Sequence, residues 1–147
     1  MKRFAVLLAL VMLLAGCNAE SAATADRYKF DAKYAAVAKS FDAISLKMTG
    51  YDEASFQDPA FRAEIVRLAQ EWRTASNALR YMPKPAGEKW DIVWPMITDA
   101  MSDYAFVASI LESAARENSP LLLLQAAGRI DNAKALLKDA FRLLGDK

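Results

Sequence analysis

Asp99 and Asp103 stand four residues apart in "TDAMSDYAF", so on a helix they share one face. Two carboxylates so placed have two chemistries open to them, proton transfer and the binding of a hard cation. A calcium ion asks for about six to eight oxygen ligands. A carboxylate pair working on a glycosidic bond must flank its substrate. Two side chains on adjacent turns meet neither demand, and the apolar stripe of the same segment runs elsewhere on the helix. The pair is expected to form a solvated acidic edge, facing arginines such as Arg73 or Arg80 of the preceding helix.

The chain contains no His and a single Cys, Cys17. Histidine ligation of haem or zinc, and Ser-His or Cys-His nucleophiles, are therefore excluded. The five glycines are scattered at helix ends and turns and form no phosphate-binding loop. No catalytic residue, metal site or resident cofactor is expected, and the folded part reads as non-enzymatic.

Trp90 and Trp94 are one helical turn apart, beside Pro95 and just after the Pro83–Gly87 loop. Indoles in this arrangement suit a bundle core, a ligand or partner surface at one end of the bundle, or a membrane interface. The pair is the candidate ligand or partner surface. Trp72 falls in the apolar stripe of its own segment and reads as core.

Cys17 closes "FAVLLALVMLLAGC". Met1-Lys2-Arg3 is basic, Phe4 to Ala15 is an apolar run of about a dozen residues, and small residues follow. That order marks a secretory signal peptide, too short for the roughly 20 apolar residues of a permanent span. Leu14-Ala15-Gly16-Cys17 resembles the bacterial lipobox. The resemblance implies cleavage after Gly16, a thioether-linked diacylglycerol on Cys17 and, in many bacteria, an N-acyl chain on its new amino group. Residues 1–16 are then the signal peptide and 17–25 a lipidated N-terminus and polar tether. In a Gram-negative host, Asn18 in place of a retention aspartate implies the periplasmic face of the outer membrane. In other hosts the resemblance implies the outer face of the cytoplasmic membrane.

Positioning these residues falls to the segment 26–147, which carries almost no strand alternation and four runs of helical spacing. The first spans about Asp26 to Met48, with Phe30, Tyr34, Val37, Phe41, Ile44 and Met48 facing inward, and Gly50 stops it. After the loop "YDEASFQ", Asp58-Pro59 caps and opens the second. Phe61, Ile65, Leu68, Trp72, Ala75 and Leu79 line that helix, and "MPKPAG" ends it. The third covers about Glu88 to Glu117, with Trp90, Trp94, Ile97, Met101, Tyr104, Ala108 and Leu111 inward. Its Pro95 marks either a start near Trp94 or a kink, and the unbroken apolar step favours the kink. Ser119-Pro120 opens the fourth, which ends near Gly145 with Leu122, Ala126, Ile130, Ala133, Leu137, Ala140 and Leu144 inward. Glu64–Arg67 and Asp131–Lys134 are expected as surface ion pairs. Gly128 costs about 1 kcal/mol in a helix, which a close helix crossing or simple tolerance would explain.

A step alternating four and three averages about 3.5 residues and packs helices side by side. With short connections this predicts an all-α, up-down-up-down four-helix bundle; two loosely packed hairpins that need a partner are the alternative. Without Lys2 and Arg3, two of the 19 basic residues, 17 remain against 18 acidic. No basic stripe forms, so nucleic acid is not an expected partner. From Met82 to Leu144 the layout resembles small helical bacterial lipoproteins, a likeness that carries no activity. The expected role is a lipid-anchored envelope protein acting by contact with an envelope partner. The alternative is a small bundle that binds or senses an apolar ligand.

Overall fold

The computed structural model describes the backbone of residues 2–49 and 52–145, and side chains from Thr24 onward except those of Glu53 and Ala127. The elements are α1 (Lys2–Met48), α2 (Glu53–Gln57), α3 (Pro59–Arg80), α4 (Glu88–Glu117), a 3-10 segment (Pro120–Gln125) and α5 (Ala127–Leu144). The chain is all-helical, with packed helices and no strand among the described residues.

The helix ends follow from local chemistry. Asp58 Oδ1 accepts from the Ala60 amide at 2.8 Å, and Pro59 occupies the first turn, where its missing N–H costs nothing. Gly145 closes α5 at φ 87°, a left-handed backbone that glycine adopts without strain, and its amide reaches the Phe141 and Arg142 carbonyls. α4 runs unbroken through Pro95. The missing amide withholds a bond from the Asp91 carbonyl on an exposed side of the helix, where water can replace it.

α4 is the central element, packing against α3, α5 and the 3-10 segment. Ring contacts join it to α1 as well: Phe30 meets Trp90 edge-on at 4.9 Å, and Phe41 stacks on Tyr104 at 5.6 Å. The inward positions expected on all four long segments are buried or packed against the core. Being covered on several sides, α4 buries more than one stripe. Val93, Ala100, Val107 and Ala114 are also inside, and so is Asp103.

Three features differ from the sequence-based expectation, and for Gly128 the structure chooses between the two explanations that the sequence left open. The loop "YDEASFQ" contains the short helix α2, capped by Asp52 through the Ser55 amide at 2.7 Å and held by the fully buried Phe56. Ser119-Pro120 does not open an α-helix; it opens the 3-10 segment, and Ser119 makes no side-chain cap. Four consecutive leucines explain this. Three residues per turn stack Leu121 on Leu124 on one edge and turn Leu122 and Leu123 toward the core. The segment 18–25, expected as a tether, is helical backbone continuous with α1, as an alanine-rich stretch free of glycine and proline permits. Gly128 faces open space, with nothing within 4 Å of where a Cβ would stand, so no close helix crossing requires it. Gly50, the expected stop of the first helix, lies outside the described residues.

Candidate functional site

The carboxylates first considered part company. Asp99 is exposed. Asp103, expected on a solvated edge, is buried between α4 and α5: Arg129 Nη1 donates to its Oδ1 at 2.9 Å, and Asn132 Nδ2 donates to its Oδ2. Its partners come from α5 because the face of α4 that carries Asp103 is the one α5 covers. The expected partner Arg73 lies on α3 and pairs with Glu112, while Arg80 sets its guanidinium over the Tyr81 ring. The Asp103 side chain is 9% exposed and that of Arg129 is 58% exposed. The contact is thus a buried acid reached by a long cation from outside. With both carboxylate oxygens engaged, Asp103 is a lock between helices. Among the described residues no group of three acidic, His or Cys side chains could hold a metal ion. Glu64 and Arg67 pair at 2.7 Å as expected, whereas Lys134, expected beside Asp131, places its ammonium 5.3 Å from the Phe41 ring centre.

A second polar lock joins α3 to α4. Gln70 Nε2 and Arg116 donate to Glu112 Oε1 at 2.8–3.0 Å, and Arg73 Nη1 lies 2.9 Å from Oε2. The Gln70 hydrogen bond, aided by Arg116 and Arg73, holds the Glu112 carboxyl below the usual glutamate range against an opposing desolvation. As pH falls, the unfolded chain binds this proton before the folded one does. The contribution of Glu112 is therefore full above the ordinary glutamate range and is lost as pH drops through the depressed folded value. Urea midpoints measured between about pH 6 and pH 3 should fall further for the wild type than for Glu112→Gln. Parallel curves would show that the carboxylate gains nothing from the fold.

Trp90 and Trp94, the candidate ligand or partner surface, join an aromatic cluster. Trp90 is buried and Trp94 half-buried, their rings 6.2 Å apart, with Phe30 edge-on to both. Phe141 of α5 and Tyr34 close the group at 4.8 Å. Trp90 therefore serves packing, and the cluster sits against the Phe30–Tyr34 stretch of α1.

The apolar cavity lies further along α1, at its C-terminal end. It is a half-open pocket of about 230 Å³ between Phe41, Ile44 and Met48 of α1, Trp72 of α3, and Val107 and Leu111 of α4. Leu123 of the 3-10 segment, Ala126 just after it and Ile130 of α5 complete the wall, and Ser45 contributes the one hydroxyl. No charged residue lines it. An engineered apolar cavity of about 150 Å³ stays dry and takes benzene, so this volume suits a molecule of about nine heavy atoms.

The sequence did not point to this cavity, because each lining residue reads individually as core. The visible signal was the Leu121–Leu124 run, whose 3-10 geometry draws the chain across the bundle end. Trp72 is fully buried, its ring 5.2 Å from Phe41 and 5.1 Å from Tyr104, yet its indole N–H has no acceptor among the described residues. A buried donor left unpaired costs about 1–3 kcal/mol. Burial also pushes the Tyr104 phenol up to about 12, with Tyr34 adding to the effect, so Tyr104 stays neutral and offers no base.

Cys17 and the rest of the lipobox lie outside the residues whose side chains are described. No helix among the described residues is long and apolar enough to cross a membrane. No protein-family model, curated protein or solved structure matches the chain.

Proposed function

We propose that this chain is a lipid-anchored cell-envelope protein of bacterial type whose helical head binds a small apolar molecule and performs no chemistry of its own. The anchor is the diacylated Cys17, and the proposed architecture is an up-down-up-down four-helix bundle. Cross-helix pairs support that topology: Gln70 and Arg73 meet Glu112 and Ser109 in opposing order, and Lys89 near the start of α4 reaches the Leu144 carbonyl at the end of α5. The observation that carries the binding role is the cavity bounded by Phe41, Trp72, Leu111 and Ile130, whose walls are apolar but for Ser45. Of the two roles open from the sequence, it favours the ligand binder and moves the site from Trp90 and Trp94 to Trp72.

The test uses α-methylstyrene, an apolar probe of about nine heavy atoms, titrated calorimetrically against the full chain in nanodiscs with empty nanodiscs as blank. Saturable binding is expected, and Ala126→Phe, which fills the cavity, should abolish it while the circular dichroism of the fold persists. Absence of binding to the wild type, or equal binding to Ala126→Phe, would refute the role. The envelope-partner reading keeps one supporting observation: Leu121 and Leu124 are 75% and 77% exposed on adjacent turns of the 3-10 segment. Exposed leucines of this kind mark contact surfaces when they join a larger patch.

A further inference from the structure

From the edge of the cavity we infer that the molecule it accepts is an amphiphilic monocarboxylate, with its apolar body inside and its carboxylate at the rim beside Lys134; this rests on the cavity being a ligand site. α1 packs on α3 and α5 on α4, and the half-open pocket lies where Phe41 and Ser45 of α1 meet Ile130 of α5 across it. Lys134, one turn beyond Ile130, carries its ammonium across to 5.3 Å from the centre of the Phe41 ring. Phe41 and Ile130 both line the pocket, so the charge stands at its edge without lining it. The Lys134 ammonium forms no ion pair among the described residues. Ser45, half-exposed and one turn past Phe41, has a hydroxyl that does not bond back along the helix, whereas Ser40 donates to the Ala36 carbonyl at 2.9 Å. A half-open pocket lets one end of its occupant stay in water, so a carboxylate there escapes most of the cost of full burial. Beside an ammonium, and able to accept from the Ser45 hydroxyl, it gains a charge-assisted contact. An ammonium ligand would meet the Lys134 charge with no acid in the pocket wall to offset it. A dianion such as a phosphate monoester matches one lysine poorly, since the exposed Asp42 and Asp131 adjoin the lining Phe41 and Ile130 in sequence. The volume sets the apolar body at about nine heavy atoms.

The decisive comparison is between 3-phenylpropanoate and 3-phenylpropanamide, which share one shape and differ in charge. Each is titrated calorimetrically at neutral pH into the full chain in phosphatidylcholine nanodiscs, with empty nanodiscs as blank. The acid should bind about fivefold tighter than the amide, the upper range for an ion pair open to water. Lys134→Gln should bring that ratio to about one, Lys134→Arg should preserve it, and Ala126→Phe should abolish binding of both probes. Lys134 is exposed, so neither change at this position threatens the fold. Equal affinity of the wild type for acid and amide would overturn the carboxylate assignment, and so would a preference that survives Lys134→Gln. Acid binding that survives Ala126→Phe would place the probe outside the pocket and overturn it too. If both probes fail while α-methylstyrene binds, the assignment is wrong and the cavity remains a ligand site. If α-methylstyrene fails as well, the binding role falls with it.

Discussion

Trp72→Ala should lower the folding free energy by about 3–5 kcal/mol, the usual toll for truncating a buried indole. Against a total of about 5–15 kcal/mol for a domain of this size, that removes a large share of the margin. With a urea dependence of about 2 kcal/mol per molar, the unfolding midpoint should drop by about 2 M. The cause is position. Trp72 is fully buried at the crossing of α1, α3 and α4, its ring against Phe41 and Tyr104, and one side of it already borders the 230 Å³ cavity. Truncation enlarges an existing void instead of opening a new one, so little neighbouring structure can collapse into it.

Trp72→Phe separates packing from polarity. It keeps most of the ring and deletes the unpaired N–H, so the loss of contacts is offset by relief of the donor. We expect a cost below about 1.5 kcal/mol for this change. A cost near that of alanine would mean that the indole nitrogen is engaged in the folded protein.

Most of the fold was legible in the sequence because the physics that writes it is periodic. Phe30, Val37 and Ile44 recur every seven residues, and all three are buried. Asp58-Pro59 and Gly145 act where their backbone chemistry says they should. The misreading of Asp103 comes from the assumption that each helix has a single inward stripe. α4 is surrounded, so Asp103, off the main stripe, lies under α5. The leucine run at 121–124 has no helical period to read, and it became a 3-10 segment. The cavity was illegible for a stronger reason: a void is a failure of many side chains to fill one space, and no single residue encodes it. The orphan N–H of Trp72 is likewise a property of its surroundings, in which no acceptor among the described residues comes within reach.

Cys17→Ala should abolish metabolic labelling with palmitate completely and leave a precursor that keeps residues 1–16. Each buried methylene contributes about 0.8 kcal/mol of membrane affinity, and one chain alone holds only marginally. Two or three chains on one residue make attachment effectively permanent, and all of them depend on that sulfur or on the amino group that cleavage beside it exposes. Fractionation is the wrong measurement, because an uncleaved precursor keeps the apolar run Phe4–Ala15 and stays with the membrane. Labelling and intact mass are the right ones. Cys17 and the cavity-lining Ile44 are 27 residues apart on α1, about 40 Å along a helix. The proposed anchor and the proposed ligand site are therefore far apart along one helix, and Cys17→Ala should bind α-methylstyrene as the wild type does. Continued labelling of the variant would overturn the anchor. Loss of probe binding together with loss of label would mean that the two sites are coupled, which nothing in the packing of α1 against α3 predicts.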